Sequence, residues 1–73
     1  MSRTTSRGTT FTVEERRGDR VVMMSNPARP GEVEAGRIVD VDGVKGFRPS
    51  AIMPGALSAD GLRVIADLVE EGA

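Results

Sequence analysis

The chain has 73 residues and a net charge of −1, and it contains neither cysteine nor histidine. This length allows one small domain, and the lack of cysteine excludes both disulfides and thiolate metal sites. No apolar stretch approaches the roughly 18 residues that a membrane-spanning helix requires, so we expect no membrane association.

The N-terminal segment is polar. Residues 2–10 contain only Ser, Thr, Arg and Gly, which provide no apolar face to bury. They also lack the apolar core of a secretory signal. We therefore predict a flexible polar arm over residues 1–10 and a single small α+β domain over residues 11–73. The expected location is the cytoplasm. If a phage encodes the protein, the expected location is the host cytoplasm or the virion.

Two antiparallel strands are predicted after the arm. Phe11 and Val13 alternate with polar residues, which is the pattern of a half-buried strand. Gly18 can adopt the positive φ of a tight turn. The apolar run Val21–Met24 then forms the second strand.

Prolines and glycines dominate the next segment. Asn26-Pro27 and Pro30-Gly31 are turn-forming pairs, so they predict a loop of about ten residues. A third strand is expected over Arg37–Val41, where it meets the hairpin turn Asp42-Gly43. Val44–Phe47 is a candidate fourth strand.

The C-terminal segment is predicted to be an amphipathic helix. Ser58 is a candidate N-cap, and Gly72 is a candidate helix end. The elements together predict an α+β fold: a small antiparallel sheet of three to four strands, which could close into an SH3-like barrel, and one C-terminal amphipathic helix. The apolar stripe of the helix is expected to comprise Leu62, Ile65, Ala66, Leu68 and Val69.

Residues 18–43 resemble a known motif. A Gly-Asp pair enters a strand, a Pro/Gly loop follows, and a Gly-led strand ends in an acidic hairpin. This order resembles the KOW motif of small SH3-like barrels in ribosomal proteins and transcription elongation factors, and it implies contact with nucleic acid. Glu32 and Glu34 depart from that chemistry because they would repel phosphate. The matching residues are Gly18, Asp19, Val21, Val22, Gly31, Gly36, Ile38, Val39, Val41 and Asp42.

The residue types that support catalysis are scarce. General acid–base work at neutral pH depends most often on histidine, and a nucleophilic hydroxyl needs a base beside it. No such arrangement is recognisable, and Asp40 with Asp42 forms only an incomplete calcium loop. We therefore expect no enzyme activity, no cofactor and no bound metal.

The composition favours a non-enzymatic protein-binding module, or an accessory protein that docks within a larger assembly or occludes a surface. The first strand and its arm form an edge that can pair with another sheet, and the Pro-rich loop over residues 26–34 is stiff. Val21–Met24 is apolar at consecutive positions, so one pair of its side chains is expected to face away from the helix and favour a homo-oligomer. The predicted partner-binding residues are Arg3, Arg7, Phe11, Val13, Met23, Met24, Pro27, Arg29 and Pro30.

Two alternatives remain open. The first is a nucleic-acid-associated KOW-like barrel, ranked second because the C-terminal half of the chain is acidic. The other is a phage-type accessory protein, either a virion component or an inhibitor of host machinery, which this short, cysteine-free chain with more arginine than lysine and a polar arm resembles in style. In the nucleic-acid alternative, the residues expected to contact phosphate are Arg16, Arg17, Arg20, Arg29 and Arg37.

Overall fold

A computed structural model of the chain describes residues 2–51 and 56–71, apart from the side chain of Arg29. The α+β class, with an antiparallel sheet followed by one helix, is confirmed. The predicted helix end at Gly72 lies outside the described residues. The elements are β1 (Ser2–Thr4), β2 (Thr10–Arg16), β3 (Asp19–Asn26), β4 (Arg29–Val41), β5 (Val44–Pro49) and α1 (Ala59–Glu71).

The sheet is a meander in which each strand pairs only with its sequence neighbours, in the order β1-β2-β3-β4-β5. It curls into a half-barrel, and α1 lies against the concave side, which we call the inner face. The sheet has five strands, one more than the upper expectation. No helix in the described ranges is long and apolar enough to cross a membrane.

The additional strand is β1, which lies where composition predicted a flexible arm. Ser2–Thr4 pairs with β2 through the backbone, which requires no apolar side chains. The intervening turn is held by Thr5, whose carbonyl accepts a hydrogen bond from the amide of Gly8 at 3.0 Å. The Thr5 hydroxyl accepts another from the amide of Thr9 at 3.2 Å. Gly8 closes the turn with φ at 87°.

The predicted turns at Gly18 and Gly43 are confirmed. Arg17 and Gly18 have φ values of 54° and 83°, and Asp42 and Gly43 have values of 54° and 80°. Two consecutive positive φ values define the two-residue hairpin turn whose twist matches the flanking strands. The carboxylate of Asp40 accepts a hydrogen bond from the amide of Gly43 at 2.9 Å, so it serves the turn.

The predicted loop of about ten residues after β3 is wrong. Asn26 pairs with Arg29, so the turn consists of Pro27 and Ala28 alone. The register shifts at the next step, and Pro30 with Gly31 forms a bulge in β4. A bulged position makes no ladder hydrogen bond, which is why β4 tolerates a proline there.

The core lies between the inner face and α1. Ser58 caps the helix as predicted, since its hydroxyl accepts a hydrogen bond from the amide of Gly61 at 3.1 Å. The predicted apolar stripe of the helix is wrong at Leu62 and Ala66, whose side chains are exposed. The buried face of α1 includes Gly61 in place of these two residues. The buried core cluster comprises Phe11, Val22, Ala35, Ile65, Leu68 and Val69.

The opposite, outer face of the sheet is closed without a partner. Val21 and Met23 point to this face, yet they are only 1% and 6% exposed. Glu14 and Arg37 lie directly beside Val21 on the neighbouring strands, so their side-chain stems cover it. One apolar pair does face away from the helix, as expected, but it is not exposed to solvent, so the argument for an oligomer that rested on its exposure no longer applies.

Candidate functional site

A pocket of about 450 Å³ opens at one end of the inner face. Three segments form it: the β1–β2 turn, the β3–β4 hairpin, and the chain from Ala56 into the start of α1. Its lining comprises Thr5, Arg7, Thr9, Phe11, Met24, Asn26, Ala28, Pro30, Gly31, Val33, Ala56, Leu57, Ser58 and Gly61.

The floor of the pocket is apolar. Phe11, Met24 and Val33 are direct neighbours across β2, β3 and β4, so they form one row on the inner face. Phe11 is fully buried, whereas Val33 remains 38% exposed. Leu57 adds an aliphatic wall beside the start of α1. This row is apolar surface that remains partly uncovered in the part of the chain that the structure describes.

Hydrogen bonds hold the polar rim in place. The side-chain amide of Asn26 donates to the Thr9 hydroxyl at 3.0 Å and thereby joins the two turns that border the pocket. The side-chain carbonyl of Asn26 accepts a hydrogen bond from the amide of Ala28 at 2.8 Å. One side chain thus orders both turns, so the rim has little conformational entropy left to lose.

Arg7 is the charged residue on this rim. Within residues 2–51 and 56–71, no carboxylate or hydrogen-bond acceptor pairs with its guanidinium. Arg3 differs, because Glu71 on α1 binds it in a bidentate manner, with 3.2 Å between Arg3 Nε and Glu71 Oε2. The hydrogen bond and charge of Glu71 raise the pKa of the Arg3 guanidinium. Arg3 is therefore held by an ion pair within the chain, whereas the guanidinium donors of Arg7 are unpaired among the described residues.

The pocket brings together four residues that the sequence assigned to partner binding: Arg7, Phe11, Met24 and Pro30. Pro27 lies next to the pocket, because it is close to Gly8, which stands between the lining residues Arg7 and Thr9. A Cβ built on Gly8 would be 3.3 Å from Pro27 Cγ.

The other assigned residues lie elsewhere. Val13 packs against the core, and Met23 is buried on the outer face. Arg3 is bound to Glu71, and the side chain of Arg29 is outside the described part of the structure.

Sequence reasoning missed several lining residues, notably Thr5, Thr9, Asn26 and Val33. The alternation of Glu32, Val33, Glu34 and Ala35 was a strand signal, but the assumed loop concealed it. The threonines on either side of Gly8 were a second signal, because β-branched residues around a glycine favour a hairpin.

The arginines assigned to nucleic acid do not form one surface. Arg16 and Arg37 lie on the outer face, where Glu14 and Asp19 bind them at 2.6 and 2.8 Å. Arg20 projects from the inner face. The backbone of Arg29 lies at the other end of β3 from Arg17.

The described residues contain no cluster of three or more acidic side chains that could hold a metal ion. Comparison of the chain with protein-family models, curated proteins and solved structures finds no match, so the pocket itself carries the functional argument.

Proposed function

We propose that this protein is a non-enzymatic protein-binding module. Its pocket receives an aliphatic side chain of a partner protein, and a carboxylate next to that side chain pairs with Arg7. The observation that carries the proposal is an unpaired arginine at the rim of a partly uncovered apolar floor. Such a module acts by docking in an assembly or by occluding its partner's surface, and it needs no catalytic group.

The floor of the pocket supplies the affinity. Fully burying one aliphatic side chain is worth roughly 1.5–3 kcal/mol, and Val33 offers apolar surface for that contact. The rim, ordered by Asn26, loses little entropy on binding. We therefore expect a weak to moderate complex whose strength depends on how well the aliphatic group fills the pocket.

Arg7 supplies the selectivity. An exposed ion pair contributes only about 0.2–1 kcal/mol, but a lysine at the same position of the partner would be repelled. Arg7 is the one charged side chain among the described lining residues. A single cation suits one carboxylate and provides no track for a nucleic acid backbone, which favours a protein ligand.

A peptide titration tests this function. Three capped pentapeptides, Gly-Leu-Asp-Leu-Gly and its Asn and Lys counterparts, are added to the ¹⁵N-labelled protein. We expect saturable shifts of the Thr5, Thr9, Gly31 and Gly61 amides, with binding in the order Asp, Asn, Lys. Arg7→Gln should weaken the Asp peptide by up to about fivefold and leave the Asn peptide unchanged. Arg17→Gln, which removes an exposed arginine from a distant turn, is the matched control.

Methionine oxidation gives a second readout. Met24 lines the pocket, whereas Met23 is buried on the other face, so bound peptide should protect Met24 from peroxide and leave Met23 unaffected. Shifts confined to another surface would contradict the proposal. So would contacts from the methyl groups of Ile52 or Met53 to Val33 in nuclear Overhauser spectra, because the chain would then occupy its own pocket.

A further inference from the structure

The tip of the β4–β5 hairpin carries the two large aliphatic side chains with the highest fractional exposure in the described ranges. Val41 and Val44 are 57% and 69% exposed and lie directly opposite each other, so they form one apolar knob. Asp42 occupies the turn beside them, is exposed, and has no partner among the described residues. We call residues 41–44 the β4–β5 tip.

The pocket and the tip lie at opposite ends of one strand. β4 contributes Pro30, Gly31 and Val33 to the pocket and ends at Val41 in the tip. The molecule is 37 Å long and 23 × 21 Å across, and β4 has thirteen residues, enough at about 3.3 Å per residue to span that length. The two surfaces cannot meet within one chain.

These two surfaces are complementary. The tip has an aliphatic knob next to an unpaired carboxylate, and the pocket has an apolar floor next to an unpaired guanidinium. We infer that the occupant of the pocket is the β4–β5 tip of a second copy of this chain, with Asp42 facing Arg7. This inference rests on the proposed function, because it names the partner of the same pocket.

The geometry determines the type of assembly. Each copy would use two different surfaces at opposite ends of the molecule, so a copy that contacts a different neighbour through each of them makes heterologous, head-to-tail contacts. Such contacts produce a ring when the rotation closes and an open chain when it does not. The average mass should therefore rise beyond that of a dimer, without limit in an open chain and up to the mass of the closed ring in the other case.

Sedimentation measurements on the full chain, up to about 1 mM so that a millimolar association is still populated, test the contact. Val44→Ser should weaken association about tenfold, since two buried methyl groups are removed. Asp42→Asn retains the preference for positive φ and should weaken it up to about fivefold. Leu62→Ser removes another exposed aliphatic group and Glu70→Gln removes an exposed carboxylate, both from α1, and neither should change the association.

A mixing experiment tests the head-to-tail arrangement. Val33→Lys blocks the pocket and Val44→Lys blocks the tip, and circular dichroism checks that each variant folds. Each variant alone should be monomeric. Their equimolar mixture should form a species of two chains, about twice 7.7 kDa, because only one intact pocket meets one intact tip.

The outcomes separate this inference from the proposed function. A strictly monomeric wild type at 1 mM that still binds the Asp peptide would overturn the inference and leave the protein-binding function intact. Association that both lysine variants retain would overturn it as well, since another surface would then be responsible. A monomeric protein that binds no peptide would remove both.

Discussion

The aromatic ring of Phe47 lies against the backbone of Gly36 and occupies the space that a side chain would need. A Cβ on Gly36 would be 2.5 Å from Phe47 Cζ and would also overlap the carbonyl oxygen of Arg48. Gly36→Ala should therefore lower the free energy of unfolding by about 1–3 kcal/mol, as overpacked cores do. Urea denaturation measures the change.

Gly46→Ala is the matched control for this substitution. Gly46 lies in the neighbouring strand, and its Cβ would meet only a methyl group of Val39 at 3.9 Å, an ordinary contact. This variant should unfold at the same urea concentration as the wild type or slightly above it. Equal losses in the two variants would show that glycine is needed at Gly36 for a reason other than space.

Asn26 positions the pocket rim without contributing to its apolar floor. Asn26→Asp keeps the acceptor for the amide of Ala28 but loses the donor to Thr9. We expect faster hydrogen exchange at the amides of the β1–β2 turn and weaker binding of the Asp peptide. Binding of the Asn peptide should weaken as well, because the entropy cost of ordering the turn applies to every ligand.

Pro27→Ala is a suitable comparison for Asn26→Asp, since it changes the same turn and leaves both side-chain hydrogen bonds available. If Asn26→Asp weakens the acidic peptide alone, direct repulsion of that peptide, not loss of rim order, would be the cause.

Arg37 protects the outer face through its aliphatic stem. It lies directly beside the buried Val21 and binds Asp19 at 2.8 Å. Arg37→Ala should cost about 1 kcal/mol of stability, most of it through exposure of Val21. Arg37→Met keeps the stem and removes the charge, so its urea midpoint should stay near that of the wild type. Identical losses in the two variants would assign the effect to the ion pair instead.

Arg3 fastens β1 to the helix. Arg3→Gln removes the ion pair with Glu71 and lowers the protection of the β1–β2 hydrogen bonds, because this ion pair ties an exposed edge strand, which otherwise pairs only with β2, to the helix. We expect faster exchange at the amides of β1, with no change in helical circular dichroism. Arg63→Gln, which breaks an exposed ion pair with Asp60 within α1, should leave the exchange of β1 unaltered.

The turns and the helix cap could be predicted from the sequence because each depends on a local requirement. Gly18 and Gly43 provide positive φ, and Ser58 provides an acceptor for a free helix amide. β1 and the first half of β4 could not, because backbone pairing leaves no apolar signature and prolines are read as loop.

The pocket could not be predicted from local sequence patterns, for a different reason. Its walls come from residues 5–9, 26–33 and 56–61, which only the completed fold brings together. Four of its residues, among them Arg7 and Pro30, were nevertheless assigned to a partner, because they lie in the polar arm, the first two predicted strands or the Pro-rich segment. The burial of Val21 on the outer face could not be predicted, because the stems of charged side chains cover it and hydropathy counts such side chains as exposed.

The meander has a consequence for how the chain folds. Every strand pairs with the next one through a short connection, so the sheet needs few distant encounters, and rapid folding is expected. Only α1 must return from the end of the chain to reach β1 and β2. Val22→Ala should therefore slow refolding in stopped-flow experiments, whereas Leu68→Ala should mainly accelerate unfolding. The opposite pattern would mean that the helix docks before the sheet has assembled.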